Sequence, residues 1–94
     1  MMNDDTEGLN WDALAAKESG GDWSIDTGNG YYGGLQFDLP TWQAYKPPGA
    51  PDNPAAATRA QQINAAITAI RARGGPQSLW PTNWPQLGWR PLTG

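Results

Sequence analysis

The chain contains no cysteine and no histidine among its 94 residues. Without cysteine there is neither a disulfide scaffold nor a thiol nucleophile, and without histidine there is no Ser-His-Asp triad. A zinc site built from the usual ligands is excluded for the same reason, and we expect neither a metal nor another cofactor. Any catalysis by this chain must therefore rest on its carboxylates.

Positive charge and long apolar runs are also scarce. Six Lys and Arg residues stand against nine Asp and Glu residues, which gives a net charge of −3. Because no basic patch is visible, nucleic acid is not an expected partner. No apolar run approaches the ~20 residues that a membrane-spanning helix needs, so we expect no membrane insertion. No apolar signal region follows Met1, so the chain itself predicts no secretory targeting.

Tryptophan and glycine are abundant instead. Six Trp and three Tyr residues exceed what a minimal core needs, which indicates that some rings line a binding surface. The length allows one small domain, which we place at residues 9–84 and expect to be monomeric in isolation. Residues 1–8 are predicted to form a flexible tail, and residues 85–94 a Trp- and Pro-containing tail.

Two short helices and a hairpin are predicted in the first half of the chain. Asn10 is a good N-cap for a helix that ends at Gly20-Gly21. The glycine pair at 33–34, flanked by aromatic residues, predicts a short β-hairpin. Asp38 is the predicted cap of a second helix that runs to Tyr45.

The longest helix is predicted in the second half. Asn53 is its expected cap, with Pro54 at the first helical position. Its apolar stripe consists of three isoleucines, Ile63, Ile67 and Ile70, with Ala60 and Ala66 expected to allow close approach. The glycine pair at 74–75 stops the helix. The Pro- and Trp-rich stretch that follows is not expected to form regular structure, although Trp80 is expected to pack on the core.

Glu18 is the candidate catalytic residue. It lies on the same face of the predicted first helix as Trp11 and Leu14. A Gly-, Asn- and Tyr-rich segment follows it, with too few apolar residues to be merely core. An acid beside a polar and aromatic cleft is the arrangement that glycoside cleavage needs. The alternative is that Glu18 is a helix-end carboxylate without a catalytic role. The spacing of residues alone does not decide between these two roles.

Polar and aromatic side chains near the hairpin are the candidate substrate ligands. Gln36 is able to hydrogen-bond a sugar or an acetamido group, or to face solvent. Tyr31 and Tyr32 alternate faces of a strand, so one is expected in the core and the other at the cleft. Thr41 fits the first turn of the second helix. Trp80 is expected in the core, where its ring can also serve a sugar.

The sequence resembles the resuscitation-promoting factor domain, a small relative of the lysozymes. The motifs that carry the resemblance are residues 18–21, the run from Thr27 to Phe37, Thr41-Trp42, and more weakly Trp80-Pro81. The resemblance implies an α+β, mostly helical fold, with about three helices and a short β-hairpin beside a cleft. It also implies cleavage of the β-1,4 bond between N-acetylmuramic acid and N-acetylglucosamine, with peptidoglycan glycan strands as the partner.

By the same resemblance, Glu18 is the catalytic acid, and Tyr31, Gln36 and Thr41 belong to substrate binding. Lytic transglycosylation and lysozyme-like hydrolysis both stay open, because hydrolysis needs a second carboxylate. The candidates for it are Asp22, Asp26 and Asp38, although Asp26 fits a turn and Asp38 a helix cap. A non-catalytic peptidoglycan-binding module and a structural module of a phage tail protein are the alternative functions.

The sequence departs from the resembled family at its cysteine pair, because Lys17 and, approximately, Asn83 stand at those positions. Losing such a disulfide costs roughly 2–5 kcal/mol, so something else must hold the C-terminal segment. The candidates are Trp80 and Trp84, or a neighbouring domain in a longer protein. A cysteine-free version suits folding in a reducing compartment. We therefore predict a phage-borne protein, either a virion tail (tape-measure) protein or an endolysin, that acts on the bacterial cell wall. A secreted bacterial protein is the other setting.

Overall fold

The computed structural model describes Thr6 and residues 8–91. The described part contains helices α1 (Trp11–Ser19), α2 (Leu39–Tyr45) and α3 (Arg59–Arg73), and short 3₁₀ helices at Pro54–Ala56 and Trp84–Leu87. The predicted small, mostly helical fold is thereby confirmed. The tail predicted at residues 1–8 lies outside the described residues except for Thr6 and Gly8, as do residues 92–94 of the predicted C-terminal tail.

Helices α1 and α2 begin where their capping residues predict. Asn10 Oδ1 accepts a hydrogen bond from Ala13 N at 3.0 Å, and Asp38 Oδ1 accepts one from Thr41 N at 2.8 Å. Both side chains satisfy a main-chain donor that the first helical turn leaves unpaired. Helix α1 ends at Gly20, which adopts the left-handed conformation (φ 69°). Glu18 consequently lies in the last turn of α1, as predicted.

Helix α3 begins later than the sequence pattern predicts. Asn53 and Pro54 start only the 3₁₀ helix Pro54–Ala56, and the extended Ala57 interrupts the helical path. The cap of α3 is Thr58, which forms a capping box with Gln61. This reciprocal pair satisfies two main-chain donors and therefore fixes the start of the helix at Arg59.

The buried face of α3 differs from the predicted isoleucine stripe. It consists of Gln62, Ala65, Ala66, Ala69 and Ile70. Ile63 and Ile67 are only partly buried at its edge. The three small alanines let α3 approach its neighbours closely. The fully buried Gln62 supplies hydrogen bonds on the same face. The buried face therefore has smaller and more polar side chains than the predicted stripe of isoleucines.

The β-hairpin is present in minimal form. Tyr32 and Phe37 exchange both main-chain hydrogen bonds at 3.0 Å, and Tyr32 also pairs with Asp26. The turn between them spans residues 33–36. At Gly34 a Cβ atom would lie 2.5 Å from the Trp23 ring, so only glycine allows this approach. The turn is thus pressed against Trp23.

Aromatic rings form the centre of the core. Trp80 meets Trp11 edge-on with ring centroids 6.2 Å apart, and meets Phe37 at 6.3 Å. Phe37 also packs against Trp42 at 5.5 Å. Trp80 is only 3% exposed, so the prediction that it packs on the core is confirmed.

The packed part of the chain extends beyond the predicted boundary at residue 84. Leu87 and Trp89 are buried, and Trp84 meets Trp89 edge-on at 6.3 Å. The main-chain N–H of Asn10 donates to Leu87 O at 3.0 Å, which ties this segment to the start of α1. Residues 85–89 therefore belong to the domain, because their apolar side chains complete its core.

Among the described residues, none of the helices has the length and the apolar character that a membrane span requires.

Candidate active site

A groove runs along the side of the hairpin turn. It consists of two adjoining cavities, a larger one of about 400 Å³ that includes Glu18 and Asn83, and a smaller one of about 80 Å³ that includes Thr41 and Arg73. The residues that line both cavities are Tyr31, Gln36, Asp38, Ser78, Leu79 and Trp80. The predicted acid Glu18 and the four candidate substrate ligands therefore border one continuous groove, and they are Tyr31, Gln36, Thr41 and Trp80.

Glu18 is half-buried at the wall of the larger cavity. Its Oε2 accepts a hydrogen bond from Asn83 Nδ2 at 2.7 Å. The neighbouring Ser19 Oγ donates to Gly34 O at 2.9 Å, which fixes the end of α1 against the hairpin turn. In the described part of the chain, neither a cation nor another side chain pairs with the Glu18 carboxyl. The carboxyl is thus anchored through one oxygen, and the other has no protein partner among the described residues.

Tyr31 and Gln36 border the groove from the hairpin. Tyr31 is 50% exposed, so its ring offers a free surface. Gln36 has φ 54°, the left-handed conformation, and it is the one non-glycine residue with positive φ in the described ranges. Its Nε2 donates to Gly33 O at 3.0 Å, so the side chain closes its own turn. Such strain is held at functional positions more often than elsewhere.

Asp38 and Thr41 border the groove at the start of α2. The Asp38 carboxylate accepts the hydrogen bond from Thr41 N and thereby caps the helix. Thr41 is half-buried and lines the smaller cavity. The cap orients the first turn of α2, which places the Thr41 side chain at the groove.

The three candidates for a second carboxylate lie in different places. Asp22 Oδ1 accepts hydrogen bonds from Ser24 N and Ser24 Oγ, both at 3.0 Å, in an exposed turn. Asp26 Oδ2 accepts one from Asn53 Nδ2 at 3.1 Å. Neither lines the groove, whereas Asp38 does. If a second carboxylate acts, Asp38 is therefore the one that the geometry allows.

Trp80 forms the floor of the groove and part of the core at once. Its Nε1 donates to Leu35 O at 2.8 Å, which satisfies the buried indole N–H. The ring lines both cavities although it is almost completely buried. It shapes the groove and offers little exposed surface for stacking.

Among the groove residues that were not predicted as site residues, two make polar or charged contacts there. Asn83 was noted only as a position of a missing cysteine, although it contacts Glu18. Arg73 is the last residue of α3; it lines the smaller cavity and lies over the Tyr45 ring, with Cζ 5.5 Å from the centroid. No local sequence feature marks either side chain as part of a site, because both reach the groove from segments distant in sequence.

Comparison with known proteins identifies the family to which the chain is similar. The family described as transglycosylase-like domain matches residues 5–83. Resuscitation-promoting factor RpfC of Mycobacterium tuberculosis is 52% identical over 73 residues, which is 78% of this chain and 49% of that protein.

Two further relatives give the same result. Resuscitation-promoting factor RpfE of Mycobacterium tuberculosis is 52% identical over 73 residues, which is 78% of this chain and 40% of that protein. Resuscitation-promoting factor Rpf1 of Corynebacterium glutamicum is 46% identical over 78 residues, 83% of this chain and 39% of that protein. The chain thus spans half or less of the length of the relatives it matches.

Proposed function

Because this chain belongs to the family of transglycosylase-like domains, we propose that it cleaves peptidoglycan glycan strands at the β-1,4 bond between N-acetylmuramic acid and N-acetylglucosamine. The observation that carries the proposal is the position of Glu18, at the wall of a groove that also holds Tyr31, Gln36 and Thr41. Its carboxyl has one oxygen anchored by Asn83 and the other without a protein partner among the described residues. A general acid needs this combination of fixed position and free oxygen.

The groove suits a sugar chain. The Tyr31 ring is exposed at its edge, where it can cover the apolar face of a sugar. The amide of Gln36 and the hydroxyl of Thr41 are short, oriented groups that can hydrogen-bond hydroxyl or acetamido substituents. Both are held by turn or helix-start geometry, so little side-chain freedom is lost on binding.

We favour a lytic-transglycosylase route for the chemistry. Glu18 gives its proton to the glycosidic oxygen as the bond from that oxygen to C1 of the muramic residue breaks. The C6 hydroxyl of the same residue then bonds to C1 and closes a 1,6-anhydro ring, and its proton returns to Glu18. This route needs one carboxylate and no water. Hydrolysis is the alternative, in which Asp38 would activate a water across the groove.

The first test of the proposal uses purified bacterial cell walls and a turbidity assay. The wild type is expected to solubilise them, and Glu18→Ala is expected to lose at least ~100-fold of the rate, because the other carboxylate in the groove, Asp38, is engaged as the cap of α2. Asp12→Asn is the matched control, since Asp12 is an exposed carboxylate on the same helix and does not line the groove. Equal rates for wild type and Glu18→Ala would contradict the assignment.

The alternative is a module that binds peptidoglycan without cleaving it, or a structural part of a phage tail protein. A binding module would sediment with cell walls and show chitooligosaccharide-induced shifts in its NMR spectrum without solubilising the walls. A purely structural module would show neither. The relatives named above are bacterial proteins and give no support to a phage setting. That setting, whether tail or endolysin, stays a prediction from the missing cysteines.

A further inference from the structure

Asn83 stands at a helix-capping position without capping the helix. It precedes the 3₁₀ helix Trp84–Leu87, and its side chain makes no hydrogen bond to that turn. In the rest of the described chain, every N-cap side chain accepts a hydrogen bond from the turn that follows it (Asn10, Asp38, Asn53 and Thr58). The Asn83 amide instead donates to Glu18 Oε2 at 2.7 Å. A common capping residue is thus used for a different contact.

The main chain around Asn83 is held by contacts that do not involve its side chain. Asn83 O accepts a hydrogen bond from Gln86 N at 3.0 Å, and Trp84 N donates to Trp80 O at 2.9 Å. Trp80 and Leu87 on either side are both buried. The main chain that carries Asn83 is therefore fixed in place, and its side chain reaches Glu18 from there. The two residues are 65 positions apart in the sequence.

The chemistry of the amide suits a holding role. The nitrogen of an asparagine side chain donates hydrogen bonds and does not titrate, so it cannot compete with the substrate for the Glu18 proton. Because Oε2 already accepts this bond, Oε1 is the carboxyl oxygen left without a protein partner among the described residues. A glutamate in the last turn of a helix otherwise has three free side-chain torsions, and this contact selects one arrangement of them.

We propose that Asn83 is the positioning residue of Glu18: its amide fixes the carboxyl and assigns the second oxygen to proton transfer. The proposal rests on the proposed function, since it concerns the same acid. A residue with this role affects the rate of the bound complex more than the binding of substrate, because the acid is misplaced while the groove is intact.

The test compares three variants of Asn83 in steady-state cleavage of soluble peptidoglycan fragments. Asn83→Ala removes the donor and is expected to lower kcat by roughly 10- to 100-fold, with KM within about twofold of wild type. Asn83→Asp keeps the shape but sets a carboxylate against a carboxylate, so its kcat should be at least as low. Asn83→Gln keeps a donor on a longer stem and should retain more activity than either. Gln86→Ala, an exposed neighbour outside the groove, is the control and should match wild type.

A second measurement detects the contact without turnover. In the NMR spectrum of the wild type, the side-chain amide of Asn83 should shift on Glu18→Ala, whereas the amide of the distant Asn64 should not. Thermal melts by circular dichroism show whether each Asn83 variant folds, and if one does not, this NMR comparison decides.

The outcomes separate the two proposals. An active wild type with unchanged kcat in folded Asn83→Ala, or an Asn83 amide that does not respond to Glu18→Ala, overturns the positioning role alone. An inactive wild type overturns the proposed function and this role with it. A loss confined to KM would also count against positioning, since it would place Asn83 in substrate binding instead.

Discussion

Replacing Gln62 by leucine should destabilise the domain strongly, although the two side chains have similar volumes. Gln62 is fully buried on α3. Its Nε2 donates to Trp23 O at 2.8 Å and to Ala57 O at 3.1 Å, and its Oε1 accepts from Gly34 N at 2.9 Å. One side chain thus joins α3 to the turn of the hairpin and to two loop segments. Leucine fills a similar volume and makes none of these bonds.

The magnitude follows from the groups left behind. Each buried main-chain group that loses its partner costs about 1–3 kcal/mol, so three groups cost roughly 3 kcal/mol even at the low end. A domain of this length has a total stability of roughly 5–14 kcal/mol. With about 4–8 °C of Tm per kcal/mol, Gln62→Leu should lower Tm by roughly 12–24 °C. Leucine burial offsets part of this, because it adds apolar area to the core.

The assay is thermal unfolding by circular dichroism, with Asn64→Leu as the control on the exposed face of the same helix. The control should change Tm by no more than about 3 °C, because it breaks no buried contact. A decrease for Gln62→Leu as small as that of the control would refute the idea that these three bonds hold the hairpin turn. The same turn carries Gln36, so wall cleavage should fall together with stability.

Three further predictions follow from the contacts described above. In urea unfolding, Gln36→Gly should be more stable than Gln36→Ala by about 1 kcal/mol, because glycine tolerates the left-handed φ at this position. Both variants should lose the same amount of substrate affinity, because both lack the side-chain amide. Trp80→Phe should lose about 2–3 kcal/mol, since the bond to Leu35 O is broken and the core is left with a void; a loss below ~0.5 kcal/mol would contradict its core role. Lys46 holds the pKa of Asp52 below its ordinary value through a hydrogen bond and its positive charge. That stabilisation exists above the ordinary Asp pKa and is lost as pH falls through the lowered one, so Asp52→Asn should lower Tm slightly at pH 7, and this difference in Tm from the wild type should disappear as pH falls below the lowered pKa.

Local chemistry made much of the fold predictable. The caps Asn10 and Asp38 and the terminating glycines at 20 and 74 act within a few residues, and the structure confirms the elements they delimit. The start of α3 was misplaced because Asn53 is also a valid cap, and only the competing box at Thr58 decides between the two. Its buried face was predicted in part: Ile70 and Ala66 are buried, whereas Ile63 and Ile67 are only partly buried because close packing selects small alanines there.

The groove was predictable only in part. The contiguous motifs around Glu18, Tyr31 and Gln36 marked one wall, since they lie close together in sequence. The opposite wall comes from residues 78–83, which reach Glu18 through tertiary packing alone. The burial of Leu87 and Trp89 was missed for the same reason, because a short Pro- and Trp-rich segment carries no periodic pattern.

The most direct test of the central claim is mass spectrometry of purified peptidoglycan after digestion by the wild type and by Glu18→Gln. Glutamine keeps the shape of Glu18 and can still accept the Asn83 hydrogen bond, but it has no proton to give to the glycosidic oxygen. The wild type should release glycan fragments with 1,6-anhydromuramic ends, and Glu18→Gln should release none. Fragments with reducing ends and no anhydro product would show that the bond is cleaved by hydrolysis and not by the transglycosylase route. Equal fragments from both proteins, or none from the wild type, would contradict Glu18-dependent cleavage itself.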